Sequence, residues 1–236
     1  MRISGSGKLV GGRIDDELHV SGSVRIAGDF ECNAFGSSGS TRVEGNLTVN
    51  GDVKNSGSFR LMGSLHADGD VRFSGSTSIG GEISVKRNLV NSGSLRAGNK
   101  IEVLQDIKFS GSSRVQGNII SQKDIVISGS ATIHGSITGA DISIGRERLF
   151  SRSIYKHPNK VYGDIIARKD VNLIGTFVDR DVRGHDVRIG RGTEVVGTVY
   201  YVGDIQVHEK AILAHEPVKV NIENLEKNKE KFKKYQ

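Results

Sequence analysis

The feature that most constrains the fold of this chain is a Gly-Ser pair that recurs at almost constant intervals. The pair begins at positions 5, 22, 39, 57, 75, 93, 111 and 129, so that successive copies are separated by 17, 17, 18, 18, 18, 18 and 18. Self-similarity at a short fixed period is the signature of a repeat architecture, in which each unit buries its apolar side chains against its neighbours. The sequence therefore predicts a solenoid.

Each full repeat divides into three hexads of the form Gly or polar, polar, apolar, variable, apolar, polar. In residues 45–50 the apolar positions are Leu47 and Val49, and both point to one face because side chains alternate along a strand. We expect a corner at each hexad's first residue, where Gly supplies backbone angles that a Cβ atom disfavours. Three short strands joined by three corners then form one triangular coil.

Stacked coils would place the apolar positions in three interior ladders. The first contains Leu47, Leu65, Ile83, Ile101, Ile119 and Ile137; the second Val53, Val71, Leu89, Ile107 and Ile125; the third Leu61, Ile79, Val115 and Ile133. The predicted fold class is therefore all-β, a three-sided parallel β-helix in which each coil is built from three hexads.

The repeat is interrupted once and fades before the C-terminus. We predict β-helix coils over 1–145, a basic insertion loop over 146–162, further coils of the same solenoid over 163–220, and an amphipathic helical tail over 221–236. About eight coils precede the insertion and about three follow it. At about 4.8 Å per coil, these eleven coils make a rod roughly 50 Å long.

Composition excludes several other classes of protein. No run of about 18 apolar residues is present, as a membrane-spanning helix requires, and the first residues do not have the pattern of a signal peptide. The single cysteine, Cys32, excludes an internal disulfide and a metal site built from cysteines. We therefore expect a cytoplasmic protein. Association with the surface of a membrane is compatible with this location.

The hexads, together with the two ends of the repeat region, resemble those of the bactofilins, the polymer-forming cytoskeletal proteins of prokaryotes. The residues that carry this resemblance are the opening 3–7 with Gly11 and Gly12, and the closing 182–184, 187–190, 197–201 and 205–207. The resemblance covers about residues 1–220. This helix is about twice as long as the usual family domain, and we expect the family's flexible N-terminal tail to be absent.

The resemblance implies a right-handed β-helix that assembles without nucleotide into non-polar filaments through contacts between helix ends. It implies a scaffold and not an enzyme, with no cofactor, and with further copies of the chain or a sister bactofilin as partners. The alternative is the left-handed hexapeptide-repeat helix of acyltransferases, which has the same period. Large residues at the first apolar position of two faces disfavour it.

Candidate catalytic or metal-binding residues do not converge in the sequence. The seven histidines never recur at the period of the repeat, so no ladder stacks two imidazoles for zinc. His157, in the predicted insertion, has no carboxylate partner in the sequence pattern. A column of Asp52, Asp70, Asp106 and Asp124 is followed in most copies, two positions later, by Lys or Arg, which favours charge compensation over calcium binding.

A basic column is the most suggestive outward feature of the repeats. It lies on the face that follows Gly-Ser and contains Lys8, Arg25, Arg42, Arg60, Arg96 and Arg114. Guanidinium groups stacked at about 5 Å repel one another unless an anion lies over them. The column predicts binding to an anionic membrane surface or wall polymer, whereas a solvated face balanced by corner carboxylates such as Glu44 is the alternative. Nucleic acid is disfavoured because no aromatic residues interleave with the cations.

The two ends of the rod are the predicted polymerisation edges. A terminal coil leaves backbone N–H and C=O groups unpaired, and such an edge is a template for another chain. The N-terminal edge is predicted at Arg2, Ile3 and Ser4, where the first coil begins. The C-terminal edge is predicted at Val218 and Val220, with the tail over 221–236 as a cap or, in the alternative, a membrane contact.

Overall fold

The computed structural model describes residues 1–146 and 157–221, and all regular structure in this part of the chain is β-strand. Its strands are parallel and form a solenoid of about 12 turns spaced about 18 residues apart, which confirms the predicted all-β solenoid. Residues 222–236 of the predicted helical tail lie outside the described residues, as do residues 147–156 of the predicted insertion. The right-handed path of the coils stays a prediction.

The strands form three faces, and two of the early strands run around a corner from face 1 to face 2. Face 1 follows each Gly-Ser pair and contains Ser6–Arg13, Ser23–Cys32, Ser40–Val43, Ser58–Leu61, Ser76–Ile79, Ser94–Ala97, Ser112–Val115, Ser130–Ile133, Asn159–Val161, Thr176–Val178, Glu194–Val195 and Ile212–Leu213. Face 2 contains the ends of the first two strands, then Leu47–Val49, Leu65–Ala67, Ile83–Val85, Ile101–Val103, Ile119–Ser121, Ile137–Gly139, Ile165–Ala167, Val182–Gly184, Val199–Tyr201 and Val218–Lys219.

In residues 1–146 and 157–221, face 3 is a single sheet of twelve strands, one for each described turn. Its strands are Arg2–Ile3, Glu17–Val20, Ala34–Ser37, Val53–Asn55, Val71–Phe73, Leu89–Asn91, Ile107–Phe109, Ile125–Ile127, Ile142–Ile144, Val171–Leu173, Val187–Ile189 and Ile205–Val207. At about 4.8 Å between neighbouring strands, twelve turns make a rod of about 58 Å.

The interior ladders have the register that the repeat predicts. Leu47 pairs with Leu65, Leu65 with Ile83, and Ile83 with Ile101, so each inward residue lies on its counterpart in the next turn. Every residue of the three predicted ladders is at most 1 % exposed. The core is therefore a continuous apolar column along the axis, and each coil depends on the coils beside it for burial.

The glycine of each Gly-Ser pair is required for a reason that differs from the predicted one. Positive φ angles occur at Gly12, Gly28, Gly145, Gly175 and Gly192 and not at the Gly-Ser corners. At those corners the obstacle is the preceding coil, because a Cβ atom on Gly93 would collide with the carbonyl oxygens of Ser74 and Gly75. The corner glycines therefore permit close stacking of backbones rather than a left-handed turn.

Side chains at the other corners tie successive coils together. The carboxylate of Asp52 accepts a hydrogen bond from the backbone N–H of Asp70 at 2.9 Å, and Asn46 accepts one from Ser64 at 2.9 Å. This assigns the aspartate column a structural task beyond the predicted charge compensation. Accepting such bonds holds a carboxylate in its charged form: the pKa of Asp70 is lowered, chiefly by the hydrogen bond from the Asn88 side chain.

The predicted insertion is shorter at its C-terminal end than the sequence indicated. Asn159–Val161 is a strand of face 1 that pairs with Ala131, Thr132 and Ile133 of the preceding coil. The hexad pattern does not predict this strand, because the sequence between Ile144 and Asn159 breaks the register of the repeat.

Candidate functional site

The six predicted cations of face 1 form one row along the solenoid axis. Lys8 pairs with Arg25, Arg25 with Arg42, and Arg42 with Arg60 in direct register. Ser78 occupies the next turn, followed by Arg96 and then Arg114. All six side chains lie on the outer, exposed surface. We call this row the cation row.

Acidic partners divide the cation row into two parts. Glu44, at the corner beside the row, pairs with Arg25 and lies 3.7 Å from the Nε atom of Arg42. Arg60, Arg96 and Arg114 have no ion pair with any residue in 1–146 or 157–221. The compensation expected from corner carboxylates therefore applies to Arg25 and Arg42; in the described residues Lys8, Arg60, Arg96 and Arg114 have no such partner.

Lys160 extends the cation row by two more turns and was missed in the sequence. It pairs with Thr132, which itself follows Arg114, so it stands in the same column. It is exposed and makes no ion pair with the described part of the chain. The signal was hidden because residues 146–162 were assigned to an insertion, although the alternation of Asn159, Lys160 and Val161 already has the strand pattern.

The N-terminal edge brings together one half-buried apolar residue from each face. Arg2–Ile3 pairs on one side with His19 and Val20 and begins the twelve-stranded sheet. Ile3, Leu9 and Ile14 all pack partly against the core. Arg2 and Ser4 are exposed beside them. The first coil therefore presents an apolar triangle at the end of the rod, of which the sequence prediction identified only Ile3.

The chain's amino terminus is held against the first coil. The α-amino group of Met1 lies 2.7 Å from the carboxylate of Asp16 and donates to the carbonyl of Glu17 at 2.6 Å. The bond from the α-amino group is the main reason that the pKa of Asp16 is lowered. These contacts hold the first strand in place against the second coil.

The C-terminal edge differs from its predicted form. Val218 pairs with Tyr200, whose ring lies under the Arg183 guanidinium on the outer surface, so Val218 points outward rather than into the axis. Val220 is half-buried and donates its N–H to Tyr201 at 2.8 Å. The inward apolar residues that pack partly on the core at this end are Tyr201, Ile205, Ala211 and Leu213.

His157 has a carboxylate partner after all, contrary to the sequence interpretation. Its Nε2 atom lies 3.1 Å from Glu194, and its Nδ1 atom lies 3.1 Å from the carbonyl oxygen of Gly192. Its side chain is 10 % exposed and packs against the Phe177 ring. Both ring nitrogens therefore have oxygen partners on the strand region 192–194, and these contacts anchor the chain where it rejoins the solenoid.

One group of side chains has the spacing of a metal site. Donor atoms of Asp170, His185 and Asp186 lie within 4.8 Å of one another, and all three residues are exposed. One Asp186 oxygen already lies 3.1 Å from the His185 ring and accepts the backbone N–H of Asp204 at 2.8 Å. These contacts give the group the same structural task as the Asp52 and Asn46 side chains, which tie successive coils together at the corners.

Comparison with known proteins bears on the family. Residues 36–138 match the family model of the bactofilins, which is described as polymer-forming cytoskeletal. No curated protein and no solved structure gave a significant match to the chain. Within residues 1–146 and 157–221, no helix is long and apolar enough to cross a membrane.

The matched segment contains the central part of the cation row but neither terminal edge. Together with the β-solenoid, this match supports a structural scaffold role and suggests self-association and the absence of catalysis. The chain carries a bactofilin segment over residues 36–138, which confirms the family that its sequence resembles.

Proposed function

We propose that this chain is a cytoplasmic scaffold that assembles into nucleotide-independent filaments through contacts between the ends of its solenoid. The observation that carries the proposal is the N-terminal apolar triangle, in which Ile3, Leu9 and Ile14 belong to three different faces and are each only partly buried. Their counterparts one coil inward, Val20 and Ile26, are at most 2 % exposed.

Another chain stacked on this end would complete the burial of these residues. It would also pair the free edge of each first strand, because the N–H and C=O groups on that side have no neighbouring strand in the described part of the chain. Hydrogen bonds between backbones do not depend on side-chain identity, so a sister bactofilin would fit the same edge. Ile3 is central to the contact, and Arg2 and Ser4 flank it.

The C-terminal end offers a second edge of the same kind. Ile205, Ala211 and Leu213 are partly buried inward residues, and Val218–Lys219 pairs on one side with Tyr200 and Tyr201. A chain with two such edges continues to grow, whereas a chain with one edge stops at a dimer. Val218 and Val220 take part as edge-strand residues in this proposal.

The test is assembly of the purified chain in the absence and presence of ATP and GTP. Sedimentation and negative-stain microscopy should show filaments in all samples, with the same sedimented fraction with and without nucleotide. A discrete trimer that forms no filaments would instead support the alternative, a hexapeptide-repeat transferase. Filaments that require nucleotide would contradict the proposed mechanism of assembly.

A further inference from the structure

We propose that the unpaired part of the cation row binds a flexible linear polyanion that lies along the solenoid axis. The binding residues are Arg60, Arg96, Arg114 and Lys160, and the ligand is a polymer that carries phosphate or carboxylate groups and no bases. This inference concerns face 1 alone and does not depend on filament formation.

The first argument is the contrast in pairing between face 1 and face 3. Three outward cations of face 3 each have a carboxylate just before the same strand: Lys54 lies 3.9 Å from Asp52, Arg72 lies 3.3 Å from Asp70, and Lys108 lies 3.8 Å from Asp106. On face 1, Arg96 and Arg114 are directly opposite on neighbouring strands and share no such partner in the described residues. Like charges in that position repel each other, and an external anion removes the repulsion.

The second argument is the shape of the surface around the unpaired cations. Serine hydroxyls at Ser76, Ser94 and Ser112 stand on one side of the row, and they make no hydrogen bond to the described residues. On the other side the corner residue is Gly80 beside Ser78 and Gly98 beside Arg96, so the middle of the row is open there, whereas Met62, Gln116 and Tyr162 occupy the corner beside Arg60, Arg114 and Lys160. The surface is therefore open on both sides around Ser78 and Arg96, and along the serine side it offers further donors to an oxyanion.

The third argument is the dimension of the track. Lys160 lies five strands from Arg60, which is about 24 Å at about 4.8 Å per strand. The cations are in single file, so they match a chain laid lengthwise rather than a lipid surface, which would use cations across the whole face. No aromatic side chain stands in the row from Arg60 to Lys160, where the positions between the cations are Ser78 and Thr132, and Phe177 follows only after Lys160. A row without interleaved aromatic residues disfavours the stacking of nucleic-acid bases.

Binding is measured by anisotropy with end-labelled inorganic polyphosphate and, in a second arm, with labelled poly-glutamate. The test variant carries Arg60→Gln, Arg96→Gln and Arg114→Gln. Its matched control carries Lys54→Gln, Arg72→Gln and Lys108→Gln, which removes the same three charges from the paired cations of face 3. Both variants should retain the circular-dichroism spectrum of the wild type, because all six side chains are exposed.

We expect the face 1 variant to bind at least one of the two polymers roughly tenfold or more weakly at low salt, and its salt slope to fall by about 2, since each lost contact contributes about 0.7. The control should stay within about threefold of the wild type. Arg→Lys at the same three face 1 positions should retain most of the affinity. Glu44→Gln should strengthen binding, because it releases Arg25 and Arg42 to extend the track.

Several outcomes would overturn the proposal. Equal losses in the face 1 variant and in the control would show a response to net charge alone. Binding to phosphatidylglycerol vesicles without binding to either polymer would assign the row to a lipid surface. Tighter binding of poly(dT) than of polyphosphate at equal charge would assign it to nucleic acid, and the absence of binding to any of these probes would leave the row without a ligand.

Discussion

Substitution of one corner glycine tests whether close stacking of backbones holds the coils together. In Gly93→Ala the new Cβ atom would lie 2.5 Å from the carbonyl oxygen of Ser74 and closer still to that of Gly75. Both obstacles are backbone atoms, so they move only if two coils separate. We therefore expect the substitution to open the corner rather than to be absorbed by a side chain.

The cost follows from the hydrogen bonds at this corner. Ser92 and Gly93 donate to the carbonyl of Phe73 at 2.8 and 3.2 Å, and Ser94 donates to that of Gly75 at 3.0 Å. Three bonds at about 1 kcal/mol each are at risk, while replacement of Gly by Ala stabilises by up to about 1 kcal/mol through the unfolded chain. The net expected loss, from these two contributions, is about 2 kcal/mol.

The first copy of the same motif supplies a matched control. Gly5 begins a Gly-Ser pair in the first coil, and a Cβ atom there would meet nothing within 4 Å. We expect Gly5→Ala to be neutral or slightly stabilising in urea unfolding followed by circular dichroism. If Gly93→Ala unfolds at the same urea concentration as Gly5→Ala, the account of the corner glycines is wrong.

Three further predictions concern a buried thiol, an acidic corner and the C-terminal tail. Burial raises the pKa of Cys32 to about 12, so Ellman's reagent at pH 8 should label the thiol only as fast as the chain unfolds, and immediate labelling would contradict its placement in the core. The lowered pKa of Asp70 contributes stability at pH values above its unfolded pKa, near 4, which is lost as the pH falls; Asp70→Asn should therefore lose less stability than the wild type between pH 7 and pH 3 in thermal melts. Deletion of residues 222–236 should increase the sedimented fraction if the tail caps the last coil, whereas lost vesicle binding with unchanged assembly would favour a membrane contact.

The strict repeat made the core and its register predictable from the sequence. Once Gly-Ser fixed the period, alternation placed Leu47 and Leu65 on one inward ladder and Arg96 and Arg114 on one outward row. Each coil contacts its neighbours almost alone, so a local pattern determines the tertiary contacts. An ordinary globular domain does not allow this step.

Where the period of the repeat breaks, the sequence did not predict which residues contact one another. The partner of His157 is Glu194, 37 residues away, and this contact follows only if the strand at Asn159–Val161 is known to rejoin face 1. Lys160 was missed for the same reason. The distinction between Arg42, which has Glu44 beside it, and Arg60, which has no such partner in the described part, depends on how side chains lie across a corner. Sequence spacing does not specify that arrangement.

The most direct test of the proposed assembly is a charge placed at the N-terminal edge and compared with the same charge placed elsewhere. Ile3→Lys introduces a lysine into the apolar triangle, whereas Ile120→Lys introduces one at a half-buried outward position in the middle of face 2. In a contact between two N-terminal ends, the new lysine would face its copy in the partner chain. Sedimentation and negative-stain microscopy should show filaments of normal length for Ile120→Lys and none for Ile3→Lys, with both variants retaining the β-type circular-dichroism spectrum. Filaments of normal length from Ile3→Lys would show that this edge is not the polymer contact.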